Sequence, residues 1–310
     1  MGETETVPTQ ALLCQAATPL FRKAAPICKS LIKLVDCGLT VPSSIPGMQF
    51  ARNLVERRGL LFQLVRRDFE QRFVGSVMGW VWGLIHPLVL LLSWTFVFSI
   101  CLKVKLPPAE VTRNYPLYLF AGMLPWLLFS ETVQRSSASL IEQANLITKT
   151  VFPAEIVPVS VFLSSLVSHA MALALLVAAV GVVLSQMNVA LVLLPMYMFL
   201  LGMFAVGLGW IVASLQVYLR DTAQVLSVVL TFWFWLTPIF ITEDQFPPNL
   251  RFLIAGNPVA YVVRAYREIL LTRHLPSFDD LGIIAGAAVL SFVAGGFFFR
   301  HMKRGFADVL

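Results

Sequence analysis

The sequence predicts an all-α polytopic membrane protein with six transmembrane helices, on three observations. Hydrophobic residues make up 58% of the chain and charged residues only 13%, about half the charged share of a soluble domain. Such a chain cannot cover its surface with polar groups, so its solvent must be largely lipid. Charge-free runs occur at 74–102, 114–130, 156–219, 222–242 and 281–299, where a crossing needs about 20 apolar residues. Lys and Arg gather on one side of the resulting topology. A net charge of +6 therefore reads as membrane orientation rather than nucleic-acid binding.

Residues 1–50 read as a variable, cytoplasmic extension, Pro- and Thr-rich with little periodicity. Met1-Gly2-Glu3-Thr4-Glu5-Thr6 is acidic and lacks the apolar run of a secretory signal, although Gly2 and Thr6 fit the loose myristoylation pattern. Ile27, Leu31, Leu34 and Val35 share a helical face beside Lys29 and Lys33. A surface amphipathic helix and a floppy extension are both open, and Met48 is an alternative start. Cys14, Cys28, Cys37 and Cys101 form no paired motif and read as isolated thiols.

The permease domain, 51–310, begins with an amphipathic interface helix over 54–73. Phe62, Val65, Phe69 and Phe73 share one face, with Gln63, Arg66, Arg67, Glu70 and Gln71 elsewhere. The spans follow at about 77–102, 115–135, 156–184, 189–215, 222–242 and 281–301. The run 156–219 is too long for one helix, and Ser185-Gln186-Met187-Asn188 breaks it into a hairpin. In the first span, Gly75, Gly79 and Gly83 recur at four-residue spacing before Pro87, predicting a smooth face for close helix packing. Trp80 and Trp82 beside them read as interfacial anchors. Between spans five and six, the run 252–263 is too short to cross and holds Gly256-Asn257-Pro258. It predicts a re-entrant or interfacial piece, followed by a short helix over 260–271 carrying Arg264 and Arg267, together a lid or gate over an opening. Six crossings put both termini on one side. That side carries more than twice as many Lys and Arg as the other, which places both termini in the cytoplasm.

No phosphate-binding GxxxxGK[ST] loop, HExxH, GxSxG or metal-spaced histidine set occurs. The sequence therefore offers no catalytic residue, no metal site and no ATP chemistry of its own. His86, His169, His274 and His301 are scattered. His86 and His169 lie within spans, where a hydrogen-bonded packing histidine is favoured over a proton path. Asp279-Asp280 reads as a solvated acidic pair. Glu131, Glu155, Arg220 and Asp221 sit near span ends, where pairing or snorkelling costs little, and not as an ion-coupling cluster. Trp94, Trp126, Phe129, Trp210, Phe232, Trp233, Phe234 and Trp235 supply aromatic faces suited to sugar rings or to packing.

The stretch Arg67-Asp68-Phe69, Arg72-Phe73, Ser76, Gly79, Trp82, Ile85 and Pro87 resembles the opening segment of polysaccharide-export permeases. These are the membrane subunits of ABC exporters for O-antigen, capsule and teichoic acid chains. Asn145-Leu146-Ile147 with Val151-Phe152-Pro153 and Pro158 resembles that family's first cytoplasmic loop, and Leu219-Arg220-Asp221 the second. Asn257-Pro258 with Tyr266-Arg267 resembles its external gate segment. Together the matches cover about 55–305.

The resemblance implies a homodimer in the bacterial cytoplasmic (inner) membrane. It is joined to two copies of a separate ABC ATPase subunit, which carries ATP and magnesium, with no cofactor in this chain and a lipid-linked glycan as substrate. Arg67, Asp68 and Arg72 would stand at the cytoplasmic mouth. Asn145, Lys149 and Phe152 would belong to a coupling helix on the ATPase. Asn257, Tyr261, Arg264 and Arg267 would form the external gate. The first and fifth spans, with Trp82, His86, Trp94, Phe232, Trp233 and Trp235, would line the path. Three other readings stay open. One is a small-molecule or lipid exporter of the same plan. Another is a membrane-embedded sugar transferase, which would need more acid–base groups than Asp279-Asp280. The third is a passive channel.

Overall fold

The computed structural model describes residues 58–72, 76–103, 114–149, 153–184, 189–240, 242–272 and 275–306. The extension 1–50, Gly75 and Phe152 lie outside them. All regular structure among the described residues is helical. Lipid offers no hydrogen-bond partner, and a helix satisfies its backbone within one segment.

Helix α1, Arg58–Gln71, lies ahead of the spans. Its protein-facing stripe differs from the expected apolar face. Leu64 is 8% exposed and Phe62 69%, and Asp68 and Arg72 turn inward with Leu61 and Leu64. Helix α2, Trp82–Thr95, continues through a π turn, Phe96–Cys101, to complete a first span of 20 residues. Only Pro87 on it is buried. Of the three glycines expected on one helix face, Gly75 lies outside the described residues and Gly83 stands on α2. Gly79 stands in a 3-10 turn ahead of α2 at φ 54°, a backbone conformation that favours glycine.

Helix α3, Tyr115–Glu142, is the hub, with 78% of its spanning window buried against 6% for the first span. At 28 residues it is about 42 Å long and carries Glu131 and Arg135 toward its end. A six-residue helix α4, Ala144–Lys149, follows it. Helices α5, Ile156–Leu184, and α6, Leu194–Tyr218, form the expected hairpin, with a 3-10 turn, Val189–Leu193, extending α6 to a 30-residue span.

The fifth expected span is shorter than 222–242. Helix α7, Thr222–Leu236, has 15 residues, about 22 Å against the roughly 30 Å of hydrocarbon. It stops because Pro238 forces Thr237 into extended backbone, at ψ 131°. Among the described residues five helices are thus long and apolar enough to cross a membrane, and α7 is a shorter apolar sixth. The segment that follows divides at Gly256-Asn257 into α8, Arg251–Ala255, and α9, Pro258–Leu271. Helix α9 is largely buried and packs on α3, α10 and α6, so it belongs to the core.

Helix α10, Phe278–Met302, crosses α6 as the closest helix pair. A Cβ added at Gly295 would strike the Gly207 carbonyl, and one at Gly207 would strike Ser291. The small-residue packing expected at the first span is found here, with Ser291 and Gly295 four apart. Gly207→Ala and Gly295→Ala should each lower the thermal midpoint of the purified protein, reflecting about 1–3 kcal/mol of overpacking. Gly286→Ala, with nothing within 4 Å of an added Cβ, should leave it unchanged. Scanning fluorimetry in detergent checks this, and equal midpoints for all three would contradict it.

Candidate functional site

A cavity of about 690 Å³ lies between α2, α3, α5 and α7. Its wall is mostly apolar, from Leu90, Met123, Leu124, Leu127, Leu230 and Phe234. Trp82 and His86 contribute from α2, Ser227 and Thr231 from α7, and Arg72, Glu131, Gln134, Ser165 and Ser168 supply polar groups. This combination of apolar walls and a few placed polar groups is typical of a binding cavity.

The charged groups form a network of two short ion pairs and two longer ones, which leaves Asp68 Oδ2, Arg72 Nε and Arg135 Nη1 without a hydrogen bond. Asp68 takes the Arg135 guanidinium at 2.7 Å, and Glu131 takes that of Arg72 at 2.6 Å. Within each helical segment the partners also pair, Arg72 with Asp68 at 3.6 Å and Arg135 with Glu131 at 3.9 Å. Arg72 further donates to Ser165 Oγ at 2.9 Å and Ser168 Oγ at 3.4 Å. Ser165 Oγ donates to Glu131 at 3.1 Å. Two acids and two bases leave no net charge. Burial pushes the Arg72 pKa down from its ordinary value, and Glu131 and Asp68 oppose that shift. Arg67 reaches Gln143 Oε1 at 3.4 Å.

A second polar cluster closes the opposite end of the bundle, where α7 stops. The broken backbone there leaves carbonyls that no helix satisfies. Arg267 donates to the Pro238 carbonyl at 2.7 Å and the Ile239 carbonyl at 2.6 Å, and its guanidinium lies 3.6 Å from the Tyr118 ring centre. Gly122 makes room for it, because a Cβ there would strike the guanidinium. Asn257 caps α9 by accepting from the Val259 N–H. It also accepts from Trp233 Nε1 at 2.9 Å and donates to Thr237 Oγ1 at 2.9 Å. Tyr261 donates to the Ala255 carbonyl at 2.8 Å. Arg264 binds Glu243 and Asp280, the latter at 2.8 Å. Burial would lower the Arg264 pKa, but the two carboxylates outweigh it and hold the group above its ordinary value. Asp280 is therefore buried and ion-paired, unlike the solvated residue expected.

The structure brings Trp82, His86, Trp94, Gly83 and Arg72 together at the cavity. Trp94 also stacks on Phe240 at 4.2 Å between ring centres. Trp233 is turned into the core against Phe129, Phe204 and Trp126. Phe232 and Trp235, 67% and 56% exposed, do not line the cavity, although the Trp235 ring rests on Trp94 and Phe240. His169 is buried with Nε2 3.1 Å from the Tyr266 hydroxyl, a hydrogen-bonded packing arrangement. Asn145 is exposed on α4, and Lys149 ends that helix. Among the described residues no group of three or more His, Cys, Asp or Glu gathers as metal ligands. Sequence reasoning left out Arg135, Ser165, Ser168 and Gln143. The signals were present in part: Asp68 with Arg72, and Glu131 with Arg135, stand at i, i+4 spacing with opposite charge.

A family model described as ABC-2 type transporter matches residues 59–271. The O-antigen export system permease protein RfbA of Myxococcus xanthus is 28% identical over 264 residues, covering 84% of this chain and 99% of that protein. The protein of the same name from Klebsiella pneumoniae is 25% identical over 252 residues, covering 81% and 95%. The polysialic acid transport protein KpsM of Escherichia coli is 21% identical over 244 residues, covering 78% and 92%.

The far-end cluster yields a prediction. Arg267→Ala removes two charge-assisted bonds to buried carbonyls, each worth about 1.5–3 kcal/mol. The thermal midpoint should fall by more than in Arg251→Ala, an exposed residue whose guanidinium reaches the Phe246 carbonyl at 3.4 Å. Arg267→Lys should recover only part of the loss, because an ammonium lacks the fork. Equal midpoints for Arg267→Ala and Arg251→Ala would contradict the assignment.

Proposed function

This chain belongs to the ABC-2 type transporter family, and we propose that it is the membrane-spanning subunit of an ATP-driven polysaccharide exporter, moving a lipid-linked glycan across the bacterial cytoplasmic membrane. The observation that carries the proposal is coverage. Relatives named for O-antigen export and for polysialic acid transport align with this chain over at least 92% of their own length. A polar glycan cannot cross hydrocarbon unaided, so a protein-lined path is required. The cavity, with a polar end at Arg72 and Glu131 and aromatic rings along α2, α3 and α7, fits one wall of such a path.

In this proposal the chain carries no ATP chemistry, and two copies of a separate ABC ATPase bind ATP and magnesium. The α3–α4 turn and α4, with Asn145, Lys149 and the following Phe152, dock on that subunit. Both termini are cytoplasmic, with six crossings that count α7 as the fifth. Two copies of the chain pair through exposed apolar faces such as Leu92, Phe96 and Ile100 on the first span and Val225, Val228 and Phe232 on α7. The α7 face carries Gln224, Ser227 and Thr231 beside them, polar groups that pairing would take out of lipid. The Asn257–Arg267 segment closes the external side.

The test is affinity purification of the chain from its native membrane, with quantitative mass spectrometry of what stays bound. The proposal predicts an ATPase subunit in equal amount, and loss of surface polysaccharide with intracellular glycan accumulation when the gene is deleted. A stable oligomer without an ATPase, or a deletion strain with normal surface polysaccharide, would overturn it.

A further inference from the structure

The contacts of α1 set it apart from the rest of the chain. Leu64 is its one fully buried residue and Leu61, Val65 and Phe69 are half-buried, so its apolar anchorage is smaller than that of the spanning helix α3. A second space of about 240 Å³ lies beneath it, between Leu64 and Asp68 above and Gln134, Arg135, Ser139 and Gln143 below. Over that polar space the helix is held by its polar contacts. Those contacts converge on Arg72, at the C-terminal end of α1. This one guanidinium meets Glu131 of α3 and Ser165 and Ser168 of α5, and all four residues line the large cavity. Beyond it, the chain passes through Gly79 at φ 54° before α2 begins at Trp82. Nothing lies within 4 Å of a Cβ there, so the turn is not wedged by neighbours.

We infer that α1 is a lid over the polar mouth of the cavity, latched by Arg72 to Glu131, Ser165 and Ser168. The charge pattern makes the latch separable. Opening parts Asp68 from Arg135 and Arg72 from Glu131, which would strand four charges if each had one partner only. Here Asp68 and Arg72 leave together as one i, i+4 pair, and Glu131 and Arg135 stay behind as another. Neither surface is left with net charge, so the heavy penalty of an unpaired buried ion does not arise. At its outer side the lid meets the turn before α4: Arg67 reaches the Gln143 side chain at 3.4 Å, and the Gln143 carbonyl accepts the Leu146 and Ile147 N–H groups. The latch is a property of this chain whatever the cargo is, so its failure and the failure of the export proposal are separate outcomes.

The test uses the full transporter in nanodiscs, with Cys14, Cys28, Cys37 and Cys101 replaced by Ser. Ala172 lines the cavity and is 3% exposed, so the substitution Ala172→Cys reports access by its rate of modification with a charged methanethiosulfonate. The latch predicts at least a fivefold rise in that rate on Arg72→Gln and about a twofold rise on Ser165→Ala, which removes a latch bond without touching a charge. Inverting the whole network (Asp68→Arg, Arg72→Glu, Glu131→Arg, Arg135→Asp) should bring the rate back toward the parent value. A merely structural role for Arg72 predicts no such return. Unchanged rates in both Arg72→Gln and Ser165→Ala would overturn the inference. If Arg72→Gln does not fold, the Ser165→Ala rate decides alone.

Discussion

In hydrocarbon each backbone N–H and C=O must find its partner inside the protein, and that requirement shapes this chain. Where the helices run unbroken the condition is met automatically. The informative places are those where it is not. Helix α7 ends at Leu236, and the backbone from Thr237 to Phe240 turns while buried. Arg267 and Asn257 then supply what the helix no longer does. Burying a guanidinium away from water is costly unless it is paired or hydrogen-bonded. Two charge-assisted bonds to otherwise unpaired carbonyls, with an aromatic ring beneath, are of the size needed to offset it.

This separates the molecule into two kinds of element. Helices α3, α5, α6, α9 and α10 pack closely, through the Gly207–Gly295 crossing, the Phe162 ring over Gly202, and Trp210 donating to the Glu155 carbonyl. Helices α1, α2 and α7 lie around that core with few buried residues and with the cavity between them and it. Each peripheral helix is tied by a few side chains: α1 by the charge network, α7 by Gln134 and Gln216 at Ala223 and by Asn257 at Trp233, and the first span by the stack of Trp94 and Phe98 on Phe240. A transporter needs walls that move against a frame that does not, and such attachments permit that.

Much of the frame was legible in the sequence. Charge-free runs located the long spans, because a charge at mid-membrane is expensive and its absence is visible residue by residue. Hydropathy could not separate α7 from the buried turn after it, since Ile239, Phe240 and Ile241 are as apolar as the helix. Only Thr237-Pro238 marks the break. The spacing of Gly79 and Gly83 assumed one helix, whereas Gly79 stands in a 3-10 turn ahead of α2, and Ser291 and Gly295 carried the same four-residue spacing unread. Charges within four residues of each other were readable, but the pairing of Asp68 with Arg135 across 67 residues depends on how two helices meet. The same holds for Phe232 and Trp235, whose place off the cavity wall follows from the rotation of α7 and not from their being aromatic.

The central claim is that cargo passes the cavity bounded by the peripheral helices. Its most direct test places a photoreactive benzoylphenylalanine at Thr231, on the α7 wall, and as a control at Val293, exposed on α10, in cells producing the glycan. Illumination during export should cross-link the lipid-linked glycan to the Thr231 position and not to Val293. An exporting protein that cross-links glycan from Val293 and never from Thr231 would contradict the claim.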